Sequence, residues 1–506
     1  MTDGHPSAPG CLISDVASHD RKRSHHGFEQ ARYKNEMNLP EMSRRRVLAG
    51  LGTVPLAAAA GFPDLDRAPS ARPAAAPGRS RTTLLRGADL VLTMDPKVGT
   101  GPLGRLDNDV DLLLRDGVIA AVGRGLGAPD GARVLDVRGK IVLPGFVDLH
   151  NHLWQSSIRG GCSGEDLNGW LSDCNRVALP RIDPQDMYRF VHLAALDALQ
   201  AGVTTVVDWV HPIPYDTSER YIRALDDAGL RFVYAATQRA ADIHLIPRIK
   251  KDFLDRLPLA SVQVSAHAGM SQLTDLRALH ELARELGVML NSHVLEHRDD
   301  RRDDPIRALR EIGAFGPDLL MNHAIHLTDA EIALTGEHDV RVAHCPLSNM
   351  RLASGICPLP ALHGHGVRAG LGHDGGTNDT SDMFNLMKAA VGLQRARHED
   401  AGIHPTIPAV LRMATLGGAE CIGMADRVGS LTPGKRADVV VLDPGTLNFA
   451  PRFDWTGQIV LNGQPPNVSE VFVDGHLRKH RGELVHVDAE HVVHEAELAA
   501  SHIRTA

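Results

Sequence analysis

Through the middle of the chain, two rhythms of apolar residues take turns. Short β-branched runs alternate with longer stretches in which every third or fourth residue is apolar. The first rhythm belongs to buried strands, the second to helices with one buried face. Val203-Thr204-Thr205-Val206-Val207-Asp208, Arg231-Phe232-Val233-Tyr234 and Val262-Gln263-Val264-Ser265 read as strands. Leu273, Leu276, Leu279, Leu282 and Leu286 keep helical spacing, and Gly287 stands where a left-handed residue ends a helix. Val288-Met289-Leu290-Asn291 follows as a strand and ends at His293, and Ile306, Leu309 and Ile312 predict a helix stopped by Gly313. Three further strands end at His323, at His344 and at His373-Asp374. Upstream, Asp183-Pro184 supplies an N-cap with proline in the first helical position, opening a helix to Ala201-Gly202.

Adding the apolar run that leads into His150 brings the count to eight strands with helical crossovers. Eight such units over 144–425 predict an α/β fold, a (β/α)8 TIM barrel of the usual size. The flanks carry only short strands and turns. Leu84-Leu85, 88–93, 110–114 and 118–122 fill 83–143, with Asp116-Gly117 as a hairpin turn. Similar strands return at 437–442 and 471–475, within 426–487. One small β-sandwich built from both chain ends accounts for them, and 488–506 reads as a C-terminal tail.

Before residue 83 the pattern changes again. Ser43-Arg44-Arg45-Arg46-Val47-Leu48 precedes a weakly apolar stretch, 49–60, which together read as a signal peptide. The paired arginines predict the twin-arginine type, with Val47 in place of the consensus phenylalanine. Met37 and Met42 are alternative starts, and Pro, Ala and Arg dominate 62–82, as in a disordered linker. The expectation is export to the periplasm or beyond, or a cytoplasmic protein if the signal is not used.

Composition narrows the function classes. The chain is 43% apolar and 23% charged, with a formal net charge of -8, which argues against a nucleic-acid-binding surface. No stretch of the body after the signal reads as a membrane span. Cysteines stand at 11, 162, 174, 345, 357 and 421 with no Cys-x-x-Cys spacing, so they read as small buried side chains. A Cys162–Cys174 bridge is open, but nothing in the sequence supports it.

The chemistry collects at strand ends. In an extended strand residues two apart face the same side, so His150 and His152 aim two imidazoles at one point, as a single metal ion needs. In a chain with 28 histidines such a pair is weak by itself. Barrel active sites lie at the C-terminal ends of the strands, and here strand after strand ends there in histidine or aspartate. Chance explains one such position well and five poorly.

Six blocks resemble the amidohydrolase superfamily: Pro144-Gly145-Phe146-Val147-Asp148-Leu149-His150-Asn151-His152, His293-Val294-Leu295-Glu296, His323-Ala324-Ile325-His326-Leu327-Thr328, His344-Cys345-Pro346-Leu347-Ser348-Asn349, Leu371-Gly372-His373-Asp374-Gly375 and 431–438. The likeness covers 83–487. It is greatest to the mononuclear branch of S-adenosylhomocysteine and guanine deaminases and triazine hydrolases. It implies one divalent metal held by His150, His152, His293 and Asp374, zinc first with iron(II) or manganese as competitors. The fourth strand has no lysine for a second, bridged metal. The resemblance further implies hydroxide from a metal-held water as nucleophile, Glu296 as proton donor to a ring nitrogen, His323 as partner of the nucleophile, and Asp374 as ligand and base. Gln155, in a His-x-His-x-x-Gln pattern, and Trp154 are candidate substrate contacts beside Glu296 and His323. Gln155 also reads as a loop cap. Trp170 is a further candidate for stacking a planar ring.

The expected activity is deamination of a nitrogen heterocycle. The alternatives are hydrolysis of another C–N or C–Cl bond, as in a triazine or cyclic amide, and an exported metal- or solute-binding protein without catalysis. The expected partners are a small heterocyclic substrate and further copies of the chain. Glu165-Asp166-Leu167-Asn168-Gly169-Trp170-Leu171 matches the sugar-contacting region of nucleoside deaminases only loosely, which weakens an expectation of nucleoside specificity.

Overall fold

In the computed structural model, which describes residues 82–377 and 380–505, eight parallel strands stand side by side in chain order. They are Phe146–Asn151, Val203–Val210, Arg231–Ala236, Ala260–His267, Leu290–Val294, Leu319–His323, Arg341–His344 and Arg368–Leu371. Asp374 donates its backbone N–H to the His150 carbonyl at 2.8 Å, drawing the end of the last strand against the first. The expected barrel is therefore present. The signal-like segment and the linker up to residue 81 lie outside the described residues.

The second strand, Val203–Val210, is buried at every position. A parallel strand covered on both faces explains why its sequence is rich in β-branched residues and does not alternate apolar with polar. Val147, Leu149, Val207, Val233, Ala235, Leu320 and Ala343 cluster with Ala419, Cys421 and Met424, filling the interior and leaving the polar strand ends above it. The helix Pro184–Gln200 begins as expected, with the Asp183 carboxylate accepting from Asp186 N–H at 2.7 Å. Leu273–Leu286 ends at Gly287 in the left-handed region, φ 64°.

The remaining strands form one nine-stranded sheet drawn from both flanks of the barrel. Ile141–Pro144 lies in this sheet, pairing with Val439–Leu442 and with Leu90 and Val91. Gly145 carries the chain from this sheet into the barrel. A Cβ there would lie 2.1 Å from Thr204 Oγ1, so no side chain fits. Ile119 donates to the Lys435 carbonyl at 2.8 Å and accepts from Gly434 at 2.8 Å. These bonds curl the sheet around Leu85, Leu112, Leu114, Val142, Val439 and Phe472.

Three local readings change. Leu84-Leu85 and 88–93 belong to one strand, Thr82–Leu92, whose pairing slips twice between Leu85 and Leu90. Arg133–Asp136 is a strand too short to show a period. The segment 488–506, read as a tail, is instead largely a helix, Ala489–Thr505. Ala496, Ala499, Ala500 and Ile503 are its buried face, and Glu495 pairs with Arg189 at 2.8 Å. No described helix is long and apolar enough to cross a membrane.

Candidate active site

The strand register brings the polar ends together. His293 pairs with His267 on one side and Asn322 on the other, and Val294 with His323. Pairing of the first strand with the second slips between Asp148 and Asn151, just where His150 emerges. Such irregularities re-aim side chains. His152, one residue past the strand, still turns back, its ring centroid 4.8 Å from that of His150. Gly372 lets the last strand come this close, since a Cβ there would meet His150 Cβ at 2.9 Å.

His150, His293, His323 and Asp374 each offer one ligating atom, all within 4.8 Å of one another. Asp374 Oδ1 stands 3.1 Å from His150 Nε2 and 3.3 Å from His152 Nε2. Its Oδ2 accepts from the Ser348 hydroxyl and lies 3.9 Å from His323 Nε2. His323 Nε2 is also 3.5 Å from Glu296 Oε2. Three of the implied ligands, His150, His293 and Asp374, thus share one centre with His323, His152 joins it through Asp374 Oδ1, and Glu296 stands at its side.

The rings are oriented from behind. His152 Nδ1 donates to the Trp209 carbonyl at 2.7 Å, which leaves the Nε2 lone pair facing the cluster. His323 Nδ1 meets Asn349 Oδ1 at 3.1 Å, turning its Nε2 inward in the same way. Asp148 accepts from Asn151 Nδ2 at 2.6 Å and from the backbone N–H of His373 at 3.0 Å, tying the first strand to the last. Burial pushes His150 down to about 4, and burial with neighbouring rings keeps His293 well below the usual histidine range. Both are thereby held neutral, the form in which an imidazole can bind a metal. Burial opposes the Asp374 charge, but His323, His150 and His152 outweigh it and hold the carboxylate ionised. Glu296 goes the other way: burial first, then the charges of Asp374 and Asp300, raise it well above the usual range and favour its protonated form.

Three imidazoles and a carboxylate suit a divalent ion. Among the described residues, the buried His293 Nδ1 and His323 Nε2 have no hydrogen-bond partner. Ligand atoms of a tetrahedral zinc with bonds of ~2.0–2.1 Å stand roughly 3.3–3.4 Å apart, close to the spacings about Asp374 Oδ1. The residues present fit the ion.

Beside the cluster lies a cavity of about 220 Å³, lined in part by His152, Gln155, His293, Glu296 and Asp374. Gln155 reaches it, but Oε1 accepts from Gly376 N–H at 3.2 Å, so the amide caps this loop at the same time. Trp154 does not reach it. It is 1% exposed in the core, and its indole N–H donates to His211 Nδ1 at 3.1 Å. Trp170 does line the cavity. Two lining histidines escaped the sequence reading, His211 and His267. Both sit at strand ends, the signal that singled out the others. His344 and His326 stay off the cavity, the latter meeting the Ser354 carbonyl at 2.8 Å.

The outer wall of the cavity is a stapled loop. Cys162 and Cys174 form a disulfide, correcting their reading as free buried side chains, and Leu167, Trp170, Leu171 and Asn175 lie within or just past it. Arg351 Nη2 holds the same loop through the Gly161 carbonyl at 2.8 Å. A closed loop of this size restricts the unfolded chain by about 3 kcal/mol. A Cys162→Ser/Cys174→Ser variant is expected to show a lower denaturation midpoint and a several-fold higher KM at unchanged metal content. Non-reducing peptide mapping checks the bridge, and unlinked peptides from unreduced protein would contradict it.

A parallel barrel whose strand ends gather a His₃Asp cluster beside a cavity defines a class, the barrel hydrolases. The pattern of the amidohydrolase family matches residues 141–478, and the chain belongs to that family. It is 31% identical over 412 residues to a 5'-deoxyadenosine deaminase of Methanothermobacter thermautotrophicus, covering 78% of this chain and 94% of the relative. It is also 31% identical over 463 residues to a 5-methylthioadenosine/S-adenosylhomocysteine deaminase of Syntrophobacter fumaroxidans, covering 84% and 100%. A solved adenosine deaminase from Xanthomonas campestris with bound zinc superposes with a TM-score of 0.76 at 28% identity, over 84% of this chain and 99% of that one.

Proposed function

We propose that this chain deaminates a nitrogen heterocycle of the purine class with one divalent ion, zinc, held by His150, His152, His293 and Asp374. His150 and His152 both approach Oδ1 of Asp374, whereas His323 stands at Oδ2 and faces Glu296. That division favours His152 over His323 as the fourth ligand. A bound divalent ion supplies a water whose pKa falls from 15.7 toward ~7.

The chain's own groups handle the protons. Glu296, buried and protonated, donates to a ring nitrogen, which makes the adjacent carbon electrophilic. His323, with Nδ1 turned to Asn349, offers Nε2 to the attacking oxygen. Asp374, ionised, takes the proton that leaves toward the amine. Trp170 and Leu171 supply apolar wall for a flat ring. Export by the twin-arginine-type signal is part of this reading, and the Cys162–Cys174 bridge supports it because disulfides persist in oxidising compartments. Assembly into a homo-oligomer belongs to the same reading.

The placement of Glu296 3.5 Å from His323, beside the ligand cluster, carries the proposal, because a binding protein has no use for that acid. The test is ammonia release by zinc-loaded protein from adenosine, 5'-deoxyadenosine, S-adenosylhomocysteine, guanine, cytosine, a pterin and an aminotriazine. Turnover on a purine that vanishes with Glu296→Ala is expected. Metal binding with no ammonia from any of them would sink it, and chloride release from a chlorotriazine would move the assignment to that alternative.

A further inference from the structure

We propose that His211 reads the substrate: a neutral imidazole, locked in one tautomer by Trp154, that presents its Nε2–H to an acceptor atom of the heterocycle. The inference deepens the deaminase reading and rests on it.

His211 follows directly on the second barrel strand, Val203–Val210. Its Nδ1 lies 3.1 Å from the indole nitrogen of Trp154. An indole N–H donates and has no lone pair to accept with. Nδ1 must therefore carry the lone pair, and the single ring proton sits on Nε2. No rotation undoes this cheaply. Trp154 is fixed in the core, and the His211 ring stands edge-on to Trp154 at 5.5 Å and to Trp209 at 5.2 Å between centroids. A 180° flip would put the Cδ2–H where Nδ1 now stands and leave the indole N–H without its acceptor.

On the other side of the ring, Nε2 has no hydrogen-bond partner among the described residues, and His211 lines the same cavity as Glu296, His267 and Trp170. It stands against His152, ring centroids 4.9 Å apart, with its Nδ1 already engaged by Trp154. The geometry thus gives the cavity a fixed N–H donor distinct from the acid Glu296. A substrate that satisfies both has a ring nitrogen to receive a proton and a second acceptor, ring nitrogen or exocyclic oxygen, on another edge. Purines and pterins have this pattern. Sites that hydrogen-bond a substrate group discriminate strongly against analogues lacking it, since the protein group is then buried unpaired. Trp154 is the positioning residue, acting only through His211.

The test uses the zinc-loaded full chain with His211→Phe, His211→Gln and Trp154→Phe, and unsubstituted purine as a probe that binds without turnover. Calorimetric titration is expected to show purine binding weakened at least 10-fold in His211→Phe, partly restored in His211→Gln through its amide N–H, and intermediate in Trp154→Phe. Metal content should stay equal in all four proteins, and for a turned-over purine KM should rise more than kcat falls. Equal purine affinity in His211→Phe and the parent overturns the role of His211 and leaves the deaminase reading standing. Loss of zinc in His211→Phe also overturns it, assigning His211 to the metal centre instead. Failure of purine to bind even the parent protein takes down the heterocycle reading and this inference together.

Discussion

Glu296→Gln is expected to bind zinc as the parent does and to turn over 10²–10⁴-fold more slowly, the range that general acid catalysis contributes. The amide is nearly isosteric, so the cavity keeps its shape, but it has no acidic proton to deliver. Glu296 faces His323 Nε2 at 3.5 Å and not the Asp374 Oδ1 that His150 and His152 approach, and that is why metal content should not change. Asp374→Asn is the informative contrast. It weakens the ligand set itself, so activity and zinc should fall together. Metal analysis alongside initial rates separates the two. If Glu296→Gln kept more than a tenth of the parent's kcat, the proton would have to come from elsewhere in the cavity. If it lost zinc, Glu296 would belong with the ligands and the division of labour proposed above would be wrong.

The barrel was readable because most of its strands are buried and stand out as short apolar runs, several of them closed by histidine or aspartate at the end where chemistry collects. The same logic failed where a strand was cut short. Reading the second strand only to Asp208 hid Trp209 and His211, although the strand continues to Val210, and His267, at the end of the fourth, was not singled out among so many histidines. These two, His211 and His267, are half of the cavity's histidines. Trp154 shows a different limit. Its nearness to the site follows from sequence, but its direction is set by the short helix Leu153–Ile158, which turns the indole into the core. Ser348 and Asn349 stood in a recognisable block, yet only the helix Pro346–Arg351 reveals that one supports Asp374 and the other His323. The disulfide could not be read from a spacing of 12, because closure depends on how the Gly-rich loop folds. The C-terminal helix carried an amphipathic pattern, Ala496, Ala499, Ala500 and Ile503, composed largely of alanine and therefore weak beside the leucine-rich helices.

Arg231→Leu is expected to destabilise the fold by about 3–5 kcal/mol without touching the active site. Arg231 opens the third barrel strand and is 1% exposed, far from water for a guanidinium. Its Nε and Nη2 meet the two oxygens of Asp438 at 2.8 and 3.0 Å, and Nη2 also reaches Asp474 Oδ1 at 3.1 Å. Both aspartates belong to the segment that forms the second sheet, so one side chain joins that sheet to the barrel. Burial disfavours its charge, but Asp438 and then Asp474 more than compensate and hold the guanidinium protonated. Leucine would fill much of the space and leave the Asp438 carboxylate, also buried, facing no cation. Asp474 is less exposed to this loss because Arg436 contacts it as well. Asp438→Asn in the same chain should therefore recover a large part of the loss, since the stranded charge and not the missing attraction is the main penalty. Arg231→Lys should fall between, with a single point charge in place of a fork that grips two oxygens. Urea denaturation followed by circular dichroism, with zinc content and KM measured in parallel, decides the matter. A midpoint for Arg231→Leu equal to the parent's would mean that apolar packing, not this ion pair, joins the two sheets.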